Sequence, residues 1–193
     1  MLTDFIQHFN WVDIVIIIVF LRIGYVSLKT GILIEVFKFL GALSAIYISS
    51  HYYTNLSDSL KKFIPGNIMP LEFLDFLSFI FLVVIGYLIF MLCRTIARQF
   101  FKLEEISILS KWLGLALGLV RGYLVCGILI FAMVISSVEY FKNSSAHSYF
   151  GDNLFKVQPG VYTWLWNNIG SKLMIGERFN PTVLEAEKGL KKE

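Results

Sequence analysis

The 193-residue chain is 56% hydrophobic, 16% aromatic and only 16% charged, where an ordinary soluble domain is roughly 25% charged. A formal net charge of +3, scattered among separate segments, does not make a nucleic-acid surface, and a chain this apolar is not a disordered one. The charges are also unevenly placed: four stretches, 11–28, 31–53, 71–93 and 112–136, hold only 7 of the 31 Asp, Glu, Lys and Arg residues.

Each stretch is 18 to 25 residues long. At about 1.5 Å rise per residue, that length matches a hydrocarbon layer of roughly 30 Å. The expected fold is all-α: an integral membrane four-helix bundle over residues 1–140, followed by an extramembrane tail over 141–193.

The first stretch, 11–28, opens on Trp11 and carries Asp13 and Arg22. No Lys or Arg precedes it and no A-x-A pattern follows it, so it is expected to stay as a membrane helix and not to be cleaved as a signal peptide. Lys29-Thr30-Gly31 leaves room for a turn of two or three residues, which forces the helix 31–53 to run back antiparallel. That second helix ends on the interfacial cluster His51-Tyr52-Tyr53. Residues 54–70 read as a polar loop with Asp58, Lys61, Lys62 and the breakers Pro65-Gly66 and Pro70.

The third stretch, 71–93, is followed by Arg94, Arg98, Lys102, Glu104, Glu105 and Lys111, and the fourth, 112–136, opens on Trp112. The bias of Lys and Arg towards the first and third connections predicts that these two loops face the cytoplasm and both termini face outwards. In the tail, Tyr162, Leu165, Trp166, Ile169 and Leu173 share one face of an amphipathic helix over about 161–175, with Asn167, Asn168, Ser171 and Lys172 opposite. This helix is too short to span comfortably; it lies in the interface or packs on the outer end of the bundle, and the sequence leaves both open. Asn180-Pro181 reads as the cap and first turn of a last charged helix, 182–193.

In lipid, helices associate by close packing, which small residues four apart permit. Gly114, Gly118, Gly122 and Cys126 form one such row, and Gly41, Ala45 and Ser49 another, so the helices 31–53 and 112–136 are expected to pack through these faces. Arg121 shares the face of Gly114 and Gly118; Glu35 and Lys38 share the face of Ala45 and Ser49. A charge at mid-bilayer costs about 2.5–3.5 kcal/mol on insertion scales, so Arg22, Glu35, Lys38 and Arg121 are the candidate intramembrane network, with Arg22 a second possible partner for Glu35. The first reading of such a network is structural; the second is a substrate or ion path. Asp13, Glu72 and Asp75 lie near helix ends where a carboxylate reaches water, although Asp13 shares a face with Gly24 and can also look inward.

Chemistry-bearing patterns are missing from the sequence. Cys93 and Cys126 lack metal or redox spacing and read as packing residues; His8, His51 and His147 are scattered; and there is no HExxH, G-x-S-x-G, Walker loop or dinucleotide fingerprint. No catalytic residue, cofactor or metal is expected, and the partners are the lipid bilayer and other membrane proteins or a second copy of the chain.

Asp13, the turn Lys29-Thr30-Gly31 with Glu35, Ser50-His51-Tyr52-Tyr53-Thr54 with Leu56-Ser57, and Leu113-Gly114 through Gly118 to Arg121-Gly122 together resemble the colicin V production protein family. The resemblance covers roughly residues 10–140, with Lys-Thr-Gly standing where Arg-Gly is usual at the first turn. It implies a small bacterial inner-membrane protein of four helices, with periplasmic termini on the charge bias above, acting as an accessory or scaffold for production or export of a peptide toxin. Asp13, Gly31, Glu35, His51, Tyr52, Gly114, Gly118, Arg121 and Gly122 are the positions that match the family's motifs. The rival expectation is a small oligomeric transporter or channel with a polar path through Arg121 and Glu35.

Overall fold

The computed structural model describes residues 9–63, 69–100, 107–136, 138–174 and 176–190, without the side chains of 97–100 and 187–190. Pro65-Gly66 and the loop residues Lys102, Glu104 and Glu105 lie outside the described residues. Among the described residues all regular structure is helical. Among the described residues three helices are long and apolar enough to cross a membrane: α1 (Trp11–Phe63), α2 (Leu71–Phe100) and α3 (Ile108–Ile135).

A straight α1 would be roughly 80 Å long, far more than a hydrocarbon layer. It is not straight, because Gly31 interrupts it with φ 69° and ψ 170°, a backbone setting that only glycine adopts without strain. The N–H freed just after the break is satisfied from another helix: Ile32 N donates to Ser110 Oγ of α3 at 3.1 Å. The two arms fold back on each other, since both of their far ends meet the C-terminal segment, Asp13 at 148–150 and Ser50 at Gln158. The first arm starts from a reciprocal cap, in which Asn10 Oδ1 accepts from Val12 N and Asp13 Oδ2 accepts from Asn10 N.

The boundaries differ from expectation where tertiary contacts outweigh composition. The second arm continues to Phe63 and does not stop at Tyr53, so the expected loop is helical over 54–63. Its polar residues have partners there: buried Ser57 bonds the carboxylate of Asp75 on α2, and Tyr53 packs edge-on to Phe79. α2 runs past Cys93 to Phe100, and α3 starts at Ile108, capped by Ser107 Oγ accepting from Ser110 N.

The small-residue faces also pack differently from the expected pairing with each other. Gly41 faces Phe90 and Tyr87 of α2, and a Cβ at Gly86 would lie 2.7 Å from Ala45 Cα, so the second arm sits on α2. On α3, Gly114 lies against Gly31, Gly118 against Ser27, and Gly122 against Phe20 and Ile23, so α3 sits on the first arm and its turn. Each glycine row therefore brings a different neighbour close. Ile14, Ile18, Leu21, Phe81, Leu92 and Val120 remain outward and exposed, as lipid-facing side chains are.

Four short helices and a π-turn follow: α4 (Glu139–Ala146), α5 (Gly151–Phe155), α6 (Val157–Leu165), the π-turn Trp166–Gly170 and α7 (Ser171–Leu173). α8 (Thr182–Leu190) ends the described chain, with Asn180 Oδ1 accepting from Thr182 N at its start. The expected amphipathic helix starts at Val157, not 161, because Pro159 and Gly160 fit in its first turn. Its apolar face is divided by the π-turn: Tyr162 and Leu165 are buried on α1, while Ile169 and Leu173 are exposed. Phe79, Phe131 and Phe155 meet in series, the first pair tilted with centroids 5.2 Å apart and the second stacked at 5.7 Å, and tie α2, α3 and α5 into one core.

Candidate functional site

Glu35 is fully buried on the second arm, one turn past the Gly31 break. Burying a carboxylate without compensation is prohibitive, so its neighbours decide whether it is tolerated. Oε1 accepts from Lys38 Nζ at 2.5 Å and from Thr30 Oγ1 at 2.6 Å; Oε2 faces Arg121 Nη2 at 3.1 Å. Lys38 and Arg121 are themselves only 8% and 6% exposed, so all three charges depend on one another. Lys38 Nζ also reaches Thr30 Oγ1 at 3.4 Å, and Arg121 Nη2 reaches Ser27 Oγ at 3.5 Å, whose own proton goes to Ile23 O at 2.7 Å.

The geometry that delivers Arg121 to Glu35 is the glycine row. A side chain at Gly118 would overlap Ser27 and come to 3.5 Å from Glu35 Oε2. A Cβ at Gly114 would stand 2.9 Å from the backbone of Gly31. Without these bare positions α3 could not lie near enough for the guanidinium to reach the carboxylate.

Of the residues singled out from sequence, the structure thus brings together Glu35, Lys38, Arg121, Gly31, Gly114 and Gly118. Arg22 does not join them, because it stands on the exposed side of the first arm. Thr30 and Ser27 were not anticipated as members; the available signal was the position of Thr30, which hydrogen-bonds across the glycine break to a carboxylate five residues on.

Asp13 and His51 organise the opposite end. Asp13 is fully buried, and instead of reaching water it accepts from Ser148 Oγ at 2.6 Å, Phe150 N at 3.1 Å and Tyr149 N at 3.3 Å. It anchors the turn between α4 and α5 to the start of α1. Glu72 is exposed. His51 is buried between the rings of Tyr47 and Trp166, with centroids 5.5 and 5.2 Å away. Its Nδ1 lies 2.9 Å from Tyr162 Oη, and its Nε2 bonds the carboxylate of Glu177, which Tyr52 Oη also approaches at 2.9 and 3.0 Å.

Asn180 N donates to Tyr162 Oη at 3.1 Å, so the tyrosine's proton is free to go to His51 Nδ1, which leaves Nε2–H for Glu177. Burial pushes the Tyr162 hydroxyl up to about 12, keeping it a donor at neutral pH. The hydrogen bonds from His51 and then Tyr52 hold the Glu177 carboxyl below its ordinary value. Ser50 and Ser49 complete this end, bonded to Gln158 Nε2 at 2.8 and 3.5 Å, and Ser50 O accepts from Asn180 Nδ2 at 2.8 Å.

A chain with three membrane-length apolar helices and a buried Glu-Lys-Arg cluster between them defines a small helical membrane protein. The chain belongs to the colicin V production protein family, whose model matches residues 12–156. That match takes in the broken α1, α2, α3 and the segment that Asp13 anchors. No curated protein and no solved structure matches the chain.

Proposed function

We propose that the chain is a bacterial inner-membrane scaffold or accessory protein acting in the production or export of colicin V. Family membership supports the association with colicin V production. One observation carries the scaffold reading: the buried Glu35 is met from three places, with Thr30 before the break and Lys38 after it hydrogen-bonding Oε1, and Arg121 on α3 at ion-pair distance from Oε2. A carboxylate enclosed in this way fastens helices together. On this reading the four segments 11–28, 31–53, 71–93 and 112–136 are four spans, the Gly31 turn faces the cytoplasm, and the C-terminal segment forms a periplasmic cap with both termini on that side. Partners would be other membrane proteins or a second copy, meeting the exposed apolar faces.

Two measurements test this. Topology reporters fused after Lys62 and after Lys102 should report periplasm and cytoplasm respectively; an exported signal from the second overturns the orientation. Vesicles reconstituted with the chain should show no proton, potassium or chloride flux above protein-free vesicles, while Arg121→Lys retains colicin V output. Flux that disappears in Glu35→Gln, with folding and protein level unchanged, overturns the scaffold reading in favour of a transporter.

A further inference from the structure

Beside the charge cluster, between the second arm of α1 and the C-terminal part of α2, lies a pocket of about 240 Å³. Lys38 and Arg94 line it, with Phe37, Tyr87, Phe90 and Met91 forming apolar walls. The charges around it do not balance. Among the described residues Glu35 is the single anion shared by Lys38 and Arg121, and Arg94 adds a third cation. Among the described residues Arg94 has no carboxylate at ion-pair distance, and its buried Nε has no hydrogen-bond partner. Lys38 and Arg94 both line this partly enclosed, apolar-walled site, and among the described residues only Lys38 has an anion beside it, so the excess of positive charge calls for an anion where little solvent screens it.

The donors define the anion's chemistry. A guanidinium presents a planar fork that matches the oxygens of a phosphate, and an ammonium supplies a second point charge. The walls are suited to the glycerol and first methylenes that follow a phosphate in a lipid. Height in the membrane points the same way: Arg94 is the first charged residue after the apolar stretch 71–93 and is followed by Arg98 and Lys102, the pattern of a segment reaching the headgroups. We propose that this pocket binds the phosphate of an anionic phospholipid headgroup, gripped by Arg94 and Lys38. The bound lipid would neutralise the excess charge and seal the second arm to α2 beside the Glu35 cluster.

The full chain, purified in an uncharged maltoside detergent, is titrated with short-chain phosphatidylglycerol, phosphatidylcholine of equal chain length, and inorganic phosphate at constant ionic strength, with thermal unfolding as the readout. Phosphatidylglycerol is expected to raise Tm saturably, with little response to the other two. Arg94→Gln should weaken that response roughly tenfold or more, Arg94→Lys less, and Arg22→Gln, on the exposed side of the first arm, not at all. Native mass spectrometry of the unmutated chain, which needs no variant to fold, should show phosphatidylglycerol retained over phosphatidylcholine. Equal retention of the two lipids, or wild-type affinity in a folded Arg94→Gln, overturns the site. An Arg94-dependent response to inorganic phosphate as large as that to phosphatidylglycerol overturns the lipid as the source of the phosphate.

Discussion

The two ends of the helix hairpin in α1 hold their neighbours by opposite means. At the Gly31 end, three charged side chains are buried together and α3 is brought in over bare glycines. At the other end the C-terminal segment is held by hydrogen bonds, by the rings of Tyr47, His51 and Trp166 in a stack, and by two carboxylates: the exposed Glu177, and the buried Asp13, which accepts from a hydroxyl and two backbone N–H groups of that segment. The difference lies in what compensates the buried carboxylate: the cations Lys38 and Arg121 for Glu35, a hydroxyl and backbone N–H groups for Asp13. A buried ion cluster is stable only when complete, because each partner removed leaves a stranded charge, whereas a hydrogen-bonded clasp with a solvated anion loses its members one at a time.

The comparison can be broken most severely at the glycine crossing. Gly118→Leu should cost more than about 3 kcal/mol and leave little folded protein in the membrane, because the added side chain occupies the place of Ser27. The amount recovered by mild detergent extraction and gel filtration checks this. Next in size is Glu35→Gln, expected to cost about 3 kcal/mol by stranding Lys38 and Arg121, measured as a fall in unfolding midpoint. A neutral outcome would mean that the ion cluster and the clasp do not differ in kind.

A milder effect is expected from His51→Phe, which keeps the ring stack but removes both hydrogen bonds. It should cost about 1–3 kcal/mol, with faster hydrogen exchange confined to 176–190 and the 157–165 helix while α3 is unaffected. The smallest effect is that of acid. The Glu177 carboxyl is depressed by its bonds from His51 and Tyr52, so its contribution is complete above the unfolded value of 4.5 and is lost as pH falls through the lower folded value. Hydrogen exchange should therefore show 176–190 loosening at acid pH before α3 does. Simultaneous loosening of both would show that the clasp has no independent acid response.

How far the site could be read from sequence varies residue by residue. Glu35 and Lys38 are three apart, and Arg121 follows Gly118 by three, so helical periodicity alone places each with its small-residue face. Periodicity says which residues share a face; it does not say which helix that face meets. The Gly41 row therefore met α2 and the Gly114 row met the first arm, although pairing them with each other was equally consistent with the pattern. Arg22 was a plausible partner by depth, but it points outwards on its helix, and rotation about a helix axis is set by packing. The continuation of the second arm to Phe63 was hidden for a related reason: Ser57 looks like loop composition until Asp75 is placed opposite it.

His51 and Tyr52 stood out in the sequence by their family motif and interfacial chemistry, but their work depends on Tyr162 and Glu177, more than a hundred residues away. Nothing local encodes such a distance. The class of protein and the turn at Gly31 are legible without any fold, because hydropathy over 18 to 25 residues and a glycine in a tight turn act through the chain's own neighbours. Which faces meet, which cations share Glu35, and that Arg94 has no carboxylate partner among the described residues follow only from packing, because a charge's partner is fixed once three helices and their rotations have been brought together.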